Sequence, residues 1–296
     1  MTQTTHMLMM MEPAWFHSNP QTKETNTYQD DDPSDVNKIH KKAVDEYRAL
    51  RDLLVTKGVL IASTFGQKES PDDTFCNNWV STQSGGKMTL YPMLADNRRI
   101  ERRADLLEFL HHMYDDVLDL SAEEENGKFL ESTGAHCLDR VNKVAYFSLS
   151  SRCNQELAQR WCDHYGYEPV FFHTKNHVGK PVYHTDVMLY IGESVAGLCA
   201  ECIVPEDRER VLNKLRTYHE VVEITMDQLM SFCGNALEVK GFGKSYLVMS
   251  EQAYHAYTDE QKSKLLEHVD EILYSDIETI EQYGGGSARC MLLELF

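Results

Sequence analysis

Apolar positions along the chain follow two periods, and stretches of the two kinds alternate from one end to the other. Between residues 37 and 57, apolar residues recur every three or four positions with charged residues between them, which predicts a helix that Gly58 ends. Short apolar runs bounded by polar residues predict strands instead. The predicted strands are 7–11, 59–63, 89–93, 144–149, 170–173, 187–191, 200–204, 221–225, 237–239 and 246–249. The predicted helices are 37–57, 102–120, 155–165, 206–218, 226–233 and 260–272.

Strands and helices that alternate in this way are typical of an α/β fold. No linker or low-complexity tract interrupts the 296 residues, so we expect a single catalytic domain covering 1–296. Two strand pairs followed by a helix recur in loose form without an exact repeat of the sequence itself. The pattern alone leaves open whether the strands form an open sheet or a closed ring.

The segment 284–296, GGGSARCMLLELF, places one cysteine between a glycine-rich turn and an apolar run. Three consecutive glycines allow left-handed backbone conformations and a close approach to a ligand. The apolar run that follows predicts a buried strand. Cys290 is therefore the candidate nucleophile, and a buried structural cysteine is the alternative that the spacing leaves open.

Composition excludes several classes of partner. Asp and Glu number 47 against 29 Lys and Arg, and the resulting formal charge of −18 repels nucleic acids and anionic membrane surfaces. No apolar stretch is long enough to cross a membrane, and residues 1–11 lack the features of a secretory signal. We therefore expect a cytoplasmic protein with reduced cysteines that binds a small molecule. The oligomeric state is left open, with a homo-oligomer among the options.

A histidine and an aspartate lie two residues apart, directly before the strand predicted at 187–191. Because alternate residues of an extended chain point to the same side, His184 and Asp186 are expected to project together from the leading end of that strand. A histidine titrates near neutral pH and exchanges protons with a thiol or a leaving group. His184 is therefore the candidate acid and base.

The C-terminal segment resembles the cysteine-bearing C-terminus of the guanidino-group-modifying superfamily, which contains arginine deiminases, amidinotransferases and dimethylarginine hydrolases. Within it, the chain looks most similar to the citrulline-utilisation hydrolases, also called arginine deiminase-related. The resemblance runs from Asn19-Pro20, a segment that lies near the active site in the family, to Cys290. It implies a five-bladed α/β-propeller (pentein) of ββαβ units around a central active site, without a cofactor.

The resemblance also assigns the partners of the nucleophile. His184 and Asp186 match the family's His-x-Asp motif, and Glu131 in Leu-Glu-Ser-Thr-Gly matches a glutamate that orients the histidine. Ser132 stands where the family usually has glycine. The implied catalytic residues are Cys290, His184 and Glu131.

The stretch 72–79, DDTFCNNW, is similar to a family signature that faces the substrate. Relatives that act on methylated arginines carry an acidic pair where this chain has Asn77 and Asn78. Amides supply donors and acceptors without net charge and suit a neutral ureido group, which favours citrulline over arginine. Asp72 and Asp186 nevertheless remain able to hold a cation.

Two arginines are candidates for binding the α-carboxylate of an amino acid. Arg98 and Arg152 match family arginines with that role, and a guanidinium fork fits a carboxylate bidentately. From the sequence alone, the basic cluster 97–103 is also typical of a solvated helix start. The lone pair Cys199 and Cys202 lacks the two further ligands of a zinc site, so we expect no metal.

We therefore expect a cysteine hydrolase that cleaves a ureido or guanidino C–N bond of a free amino acid through a covalent S-linked intermediate. Citrulline is the expected substrate, with ornithine, ammonia and carbon dioxide as products. Arginine or methylarginine hydrolysis and amidino transfer are the alternatives within this chemistry. An inactive amino-acid-binding protein is the alternative of another class.

Overall fold

The computed structural model describes residues 2–30 and 35–296. The strands in those ranges are β1 (Met7–Glu12), β2 (Leu60–Phe65), β3 (Val80–Gln83), β4 (Lys87–Leu90), β5 (Asp116–Asp119), β6 (His136–Asp139), β7 (Val144–Ser148), β8 (Glu168–Phe172), β9 (Leu189–Ile191), β10 (Val195–Leu198), β11 (Glu220–Glu223), β12 (Leu237–Gly241), β13 (Lys244–Ser250), β14 (Glu271–Ser275) and β15 (Leu293–Leu295). The α-helices are α1 (Val36–Thr56), α2 (Ala104–His111), α3 (Ser132–Ala135), α4 (Gln155–Tyr165), α5 (Pro205–Arg216), α6 (Met226–Met230), α7 (Glu251–Ala256), α8 (Asp259–Leu265) and α9 (Glu278–Gly284). Short 3-10 turns cover Cys76–Asn78, Asp96–Glu101, Ser121–Asn126, Thr185–Val187, Ala200–Cys202 and Ala288–Met291.

Within the described residues the strands form five three-stranded sheets, in the orders β15-β1-β2, β3-β4-β5, β6-β7-β8, β9-β10-β11 and β12-β13-β14. In every sheet the first two strands are antiparallel and the third runs parallel to the second. A parallel third strand requires a crossover connection, which α1, α2, α4, α5 and the pair α7 and α8 provide. Each sheet is therefore one ββαβ unit.

The five sheets are blades around a common centre. The first strand of each blade is the inner one, because β15 contacts β3, β6 contacts β9, and β9 contacts β12. The two ends of the chain share one blade, in which Met7 of β1 lies opposite Leu295 of β15. This arrangement is a five-bladed α/β-propeller, and the fold that the resemblance implied is confirmed.

The predicted elements omit the inner strands β3 and β6, and two predicted helices continue past the end of a crossover helix. The helix predicted at 102–120 ends at His111, and the residues of its second half include β5, which pairs with β4. The helix predicted at 260–272 likewise stops at Leu265, because residues 271–275 form β14 beside β13. Apolar residues at the start of the third strand continue the helical pattern, so periodicity joins the two elements. The strand predicted at 200–204 is also wrong, since a 3-10 turn lies there and the strand is β10.

The long helix α1 buries the apolar face whose spacing predicted it. Helix α1 buries Ile39, Ala43, Tyr47, Leu50 and Leu54, the residues that recur at helical spacing. None of the helices in the described residues is both long enough and apolar enough to span a bilayer.

A buried ionic cluster connects the last inner strand to the rest of the ring. Glu294 on β15 accepts hydrogen bonds from Arg289 Nη2 at 2.7 Å and from Arg140 Nη2, after β6, at 3.3 Å. All three side chains are buried, and the Arg140 guanidinium lies 4.1 Å from the centre of the Phe296 ring. Two guanidinium charges inside the ring therefore share one carboxylate.

Substitution Glu294→Gln tests this cluster, because it leaves both guanidinium groups without that countercharge. Removing one partner of a buried ion pair costs about 3–5 kcal/mol, so we expect the free energy of unfolding to fall by that amount in denaturant titrations. Glu220→Gln, at an exposed position of β11, serves as the control and should change stability by less than about 0.5 kcal/mol. Equal stability of the two variants would contradict the role assigned to Glu294.

Candidate active site

Each inner strand begins directly after a short turn, and the turns meet near the centre of the ring. They are Cys76–Asn78 before β3, Ser132–Ala135 before β6, Thr185–Val187 before β9, 232–235 before β12 and Ala288–Met291 before β15. The first of these turns contacts the second and the last, and the second also contacts the third. Distant parts of the chain therefore contribute side chains to one place.

A pocket lies against these turns. Its lining is Thr22, Asn26, Asp72, Phe75, Asn78, Arg98, Arg152, Tyr183, His184, Gly284, Gly286 and Cys290. Six of the nine site residues predicted from the sequence are in this lining. The other three contact lining residues directly: Glu131 bonds to His184, Asp186 to Cys290, and Asn77 to Asn78. The structure thus brings all nine together.

Glycine conformation and hydrogen bonds hold the turn that carries Cys290. Gly285 ends α9 in the left-handed region with φ 62°, as the glycine-rich sequence predicts. Its carbonyl oxygen accepts hydrogen bonds from the Tyr183 hydroxyl at 2.5 Å and from the Asn26 amide at 3.0 Å. The N–H of Cys290 donates to the carbonyl of Ser287 at 3.0 Å. The apolar run after the cysteine is β15, the strand expected there.

The Cys290 sulfur is buried between a carboxylate and an amide. Its Sγ lies 3.5 Å from Asp186 Oδ2 and 3.2 Å from Asn235 Nδ2. Burial raises the pKa of the Cys290 thiol, and the negative charge of Asp186 raises it further. The resting sulfur is therefore a thiol, and forming the thiolate requires a proton acceptor or an approaching positive charge.

A hydrogen-bonded row of three side chains reaches the pocket that Cys290 lines. His184 Nε2 is 2.7 Å from Glu131 Oε2, and Arg152 Nη1 donates to the same oxygen at 3.4 Å. Burial alone would raise the pKa of Glu131, but the charge of Arg152 and the hydrogen bond with His184 lower it overall. Burial lowers the pKa of His184 despite its carboxylate partner. A neutral His184 that donates from Nε2 to ionised Glu131 keeps Nδ1 as a proton acceptor.

The backbone before β6 approaches these side chains closely. A Cβ at Gly134 would lie 2.8 Å from His184 Nδ1 and 2.5 Å from Asn78 Nδ2, so only glycine fits there. Ser132 has φ 45°, the left-handed conformation that a glycine would adopt readily. Its hydroxyl donates to the carbonyl of Val80 at 2.9 Å. The turn thus keeps a glycine-like backbone although serine replaces the glycine usual in the resembled motif.

Two of the predicted site residues, Asp72 and Asp186, are buried carboxylates that each keep one oxygen without a hydrogen-bond partner in the described residues. Asp72 Oδ2 accepts from Asn19 Nδ2 at 2.8 Å and from Thr22 Oγ1 at 3.0 Å, whereas its Oδ1 has no partner. Asp186 Oδ2 accepts from Asn77 Nδ2 at 3.0 Å, and its Oδ1 is likewise unpaired. Burial raises the pKa of Asp186. A ligand with N–H groups would supply the missing donors.

The amide of Asn78 is oriented by an arginine. Arg98 Nη1 donates to Asn78 Oδ1 at 2.7 Å, while Arg98 Nε and Nη2 donate to the two oxygens of Glu101 at 2.7 and 3.0 Å. Arg98 is only 2% exposed, so the interpretation of 97–103 as a solvated cluster is wrong for this residue. Asn78 Nδ2 in turn donates to Asn77 Oδ1 at 2.8 Å.

The second predicted carboxylate binder is also engaged within the protein. Arg152 Nη2 donates to Thr25 Oγ1 at 2.7 Å and to the carbonyl of Thr22 at 3.2 Å, and its guanidinium lies 4.9 Å from the centre of the Tyr183 ring. Both arginines line the pocket. Their binding of a substrate carboxylate stays a prediction.

Several residues at the site carry no signal that the sequence analysis used. Asn235 bonds to the sulfur, Glu101 neutralises Arg98, and Thr22 and Asn26 bring the loop after β1 to the pocket. The one clue to Asn235 in the sequence is its position. It comes just before the strand predicted at 237–239, just as His184 comes just before the strand predicted at 187–191.

Metal-ligating side chains do not gather at this site. Across residues 2–30 and 35–296, no group of three His, Cys, Asp or Glu side chains is arranged to hold a metal ion. Cys199 and Cys202 are free, buried thiols, and Cys202 Sγ donates to the carbonyl of Cys199 at 3.1 Å.

Known structures share this fold at low sequence identity. The N-terminal domain of ArgZ, an arginine dihydrolase from the ornithine-ammonia cycle in cyanobacteria, matches with a TM-score of 0.76 and 15% identity over 97% of each chain. Unliganded AgrE matches with a TM-score of 0.76 and 16% identity over 97% of this chain but only 38% of its own. A dimethylarginine dimethylaminohydrolase adduct matches with a TM-score of 0.69 and 16% identity over 98% and 99% of the two chains.

Sequence comparison places the chain in a family. No protein with a curated description matches it significantly. A family profile described as eukaryotic N,N dimethylarginine dimethylhydrolase matches residues 12–296, which is nearly the whole chain. The chain therefore belongs to the N,N dimethylarginine dimethylhydrolase family, within the guanidino-group-modifying superfamily that its motifs resemble.

Proposed function

We propose that this protein is a cysteine hydrolase of ureido and guanidino C–N bonds in free amino acids, and that L-citrulline is its substrate. Family membership and the activities of the structural neighbours, an arginine dihydrolase and a dimethylarginine dimethylaminohydrolase, support the general chemistry. The choice of citrulline rests on the donors and acceptors that the pocket offers.

The orientation of the Asn78 amide is the observation that carries this choice. Arg98 has only donors, so the Asn78 oxygen faces Arg98 and the NH₂ group faces Asn77 and the pocket. The nitrogen carries a second hydrogen besides the one donated to Asn77. A ureido oxygen accepts such a hydrogen bond, whereas a guanidinium group has no acceptor.

The unpaired oxygens of Asp72 and Asp186 complete the match. A ureido group has N–H donors as well as its oxygen, and the two carboxylates are acceptors at or beside the pocket. The two unpaired oxygens and the Asn78 donor would therefore bind two of the three N–H hydrogens of the ureido group and its oxygen. This set also orients its carbon toward Cys290, which lines the same pocket.

The reaction then follows from the proton acceptor that shares the pocket with the thiol. The Cys290 proton passes to His184, the sulfur attacks the ureido carbon, and His184 returns the proton to the leaving nitrogen. His184 next takes a proton from water, which attacks the S-linked intermediate and frees the sulfur. Glu131 stabilises the imidazolium at each stage through its 2.7 Å hydrogen bond. The hydrolysed intermediate leaves as a carbamate, whose remaining C–N bond breaks as carbon dioxide is lost, so the products are ornithine, ammonia and carbon dioxide.

L-Arginine is the second candidate substrate, favoured by the same two carboxylates. A guanidinium cation would pair with Asp72 and Asp186 and would offset the charge that raises the pKa of the Cys290 thiol. The guanidinium would, however, direct an N–H group at the NH₂ group of Asn78, so two donors would face each other. Arginine and its methylated forms are therefore the competitors in the test.

Incubation with L-citrulline, L-arginine and dimethylarginine in separate reactions tests the proposed substrate and nucleophile. We expect ornithine and ammonia from citrulline with the wild type and none with Cys290→Ser, because serine lacks a sulfur nucleophile. Cys162→Ala, a buried cysteine of α4 outside the pocket, is the control and should retain activity if it folds. Formation of citrulline from arginine or dimethylarginine would show that the substrate is an arginine and not citrulline. Tight binding without turnover would favour an inactive amino-acid-binding protein.

Substitution Asn78→Asp exchanges the donor for an acceptor while keeping the size of the side chain. We expect kcat/KM for citrulline to fall at least tenfold, which corresponds to about 1.4 kcal/mol, and the preference to shift toward arginine. Asn213→Asp on the exposed face of α5 adds the same charge as a control. An unchanged preference would remove Asn78 as the basis for the choice of substrate.

The protonated thiol also predicts the pH dependence of the reaction. Burial raises the pKa of the Cys290 thiol and lowers the pKa of His184, so the reacting pair of a thiol and a neutral imidazole is the main form of the free enzyme from neutral to mildly alkaline pH. We expect kcat/KM for citrulline to change less than about threefold from pH 7 to pH 9. A rise of about tenfold per pH unit over this range would contradict proton transfer from Cys290 to His184.

A further inference from the structure

We infer that Asn235 is a catalytic residue of this site, whose amide donates a hydrogen bond to the reacting sulfur. Its Nδ2 lies 3.2 Å from Cys290 Sγ, and its side chain is completely buried. This inference rests on the proposed role of Cys290 as the nucleophile. It adds a residue that neither the motifs nor the comparisons assign.

The orientation of the Asn235 amide is fixed by its other two hydrogen bonds. The backbone N–H of Arg289 donates to Asn235 Oδ1 at 2.9 Å, and a backbone N–H cannot accept, so the oxygen must face it. The Nδ2 atom donates to the carbonyl oxygen of Asp186 at 2.9 Å, which uses one hydrogen. The remaining hydrogen is the one available to the sulfur.

A donor fixed in this way distinguishes the charge states of the sulfur. A hydrogen bond to a thiolate is charge-assisted and stronger than one to a neutral thiol, so it stabilises the state that attacks the substrate. It opposes the effects of burial and of Asp186, which favour the protonated state. The titratable and charged groups close to the sulfur are Asp186, His184, Tyr183, Cys137 and Arg289.

Asn235 lies in the fold at a position equivalent to those of the other site residues, in a turn directly before an inner strand. Residues 232–235 precede the inner strand β12, just as the other four turns precede β3, β6, β9 and β15. Three of those four turns contain Asn78, Asp186 and Cys290, and the fourth begins directly after Glu131. The fifth turn supplies Asn235, so every blade contributes to the pocket or its immediate neighbours.

The pH dependence of Cys290 alkylation tests the inference without any substrate. Iodoacetamide labelling of the C-terminal peptide is followed by mass spectrometry from pH 6 to pH 11 in the wild type, Asn235→Ala and Asn235→Asp. Alanine removes the donor without adding charge, while aspartate keeps an acceptor for the Arg289 N–H. We expect the labelling rate at pH 8 to fall about tenfold or more in both, corresponding to a thiol pKa at least about one unit higher.

Turnover and stability separate this role from a purely structural one. If citrulline is the substrate, kcat should fall about 100-fold in both variants. A loss of this size is typical when an enzyme loses one fixed hydrogen-bond donor to an atom that gains negative charge in the reaction. Thermal unfolding identifies any variant that fails to fold, and the other then carries the test. Asn213→Ala, on the exposed face of α5, is the matched control and should keep the wild-type profile.

Two outcomes decide between the inference and the proposed function. A folded Asn235→Ala variant with the wild-type labelling profile would overturn the role of Asn235, whatever its activity. A shifted profile together with no turnover of any ureido or guanidino compound by the wild type would support Asn235 and overturn the proposed function instead. The two failures are therefore distinguishable.

Discussion

The antiparallel pairing of β1 with β15 is the constraint on which the rest of the structure depends. It joins the two ends of the chain in one blade and so closes the ring of five. Because Cys290 lies three residues before β15, the same pairing sets the position of the thiol relative to turns formed much earlier in the chain. Glu294, within β15, strengthens the closure by binding two buried arginines. The contacts that close the fold therefore also position the nucleophile in the site.

Both arginines of the pocket are paired with carboxylates inside the ring, which leaves Asp72 and Asp186 without a cationic partner in the described part of the chain. Each of the two pocket arginines has a carboxylate of its own, Glu101 for Arg98 and Glu131 for Arg152. Asp72 and Asp186 have no cationic partner among the hydrogen bonds they make, only amide, hydroxyl and thiol donors. An isolated buried carboxylate is costly unless it is hydrogen-bonded. The unpaired oxygens therefore favour a ligand rich in N–H groups, whether neutral or cationic.

The parts of the site that could be predicted are those whose chemistry is visible in one short segment. His184 and Asp186 stand together before an apolar run, and Cys290 follows a glycine turn. By contrast, Asn235 is a lone asparagine in a turn, and its meaning appears only when the ring brings it to the sulfur. Glu101 could not be separated from solvated neighbours, because burial of the pair with Arg98 depends on distant packing. Two of the five third strands, β5 and β14, were missed for a related reason, since their parallel pairing is non-local and their apolar residues continue the helical pattern.

The buried pair of Arg98 and Glu101 also explains how a neutral side chain becomes selective. A free asparagine amide presents oxygen or nitrogen to a ligand with equal ease, since rotation by a half turn exchanges them. Arg98 removes that freedom by occupying the oxygen, and Glu101 holds Arg98 in place through two hydrogen bonds. On this view Arg98 acts on the ureido end of the substrate through Asn78, in addition to any contact with a carboxylate. Discrimination between a ureido and a guanidinium group then depends on a side chain that one buried ion pair holds in a single orientation.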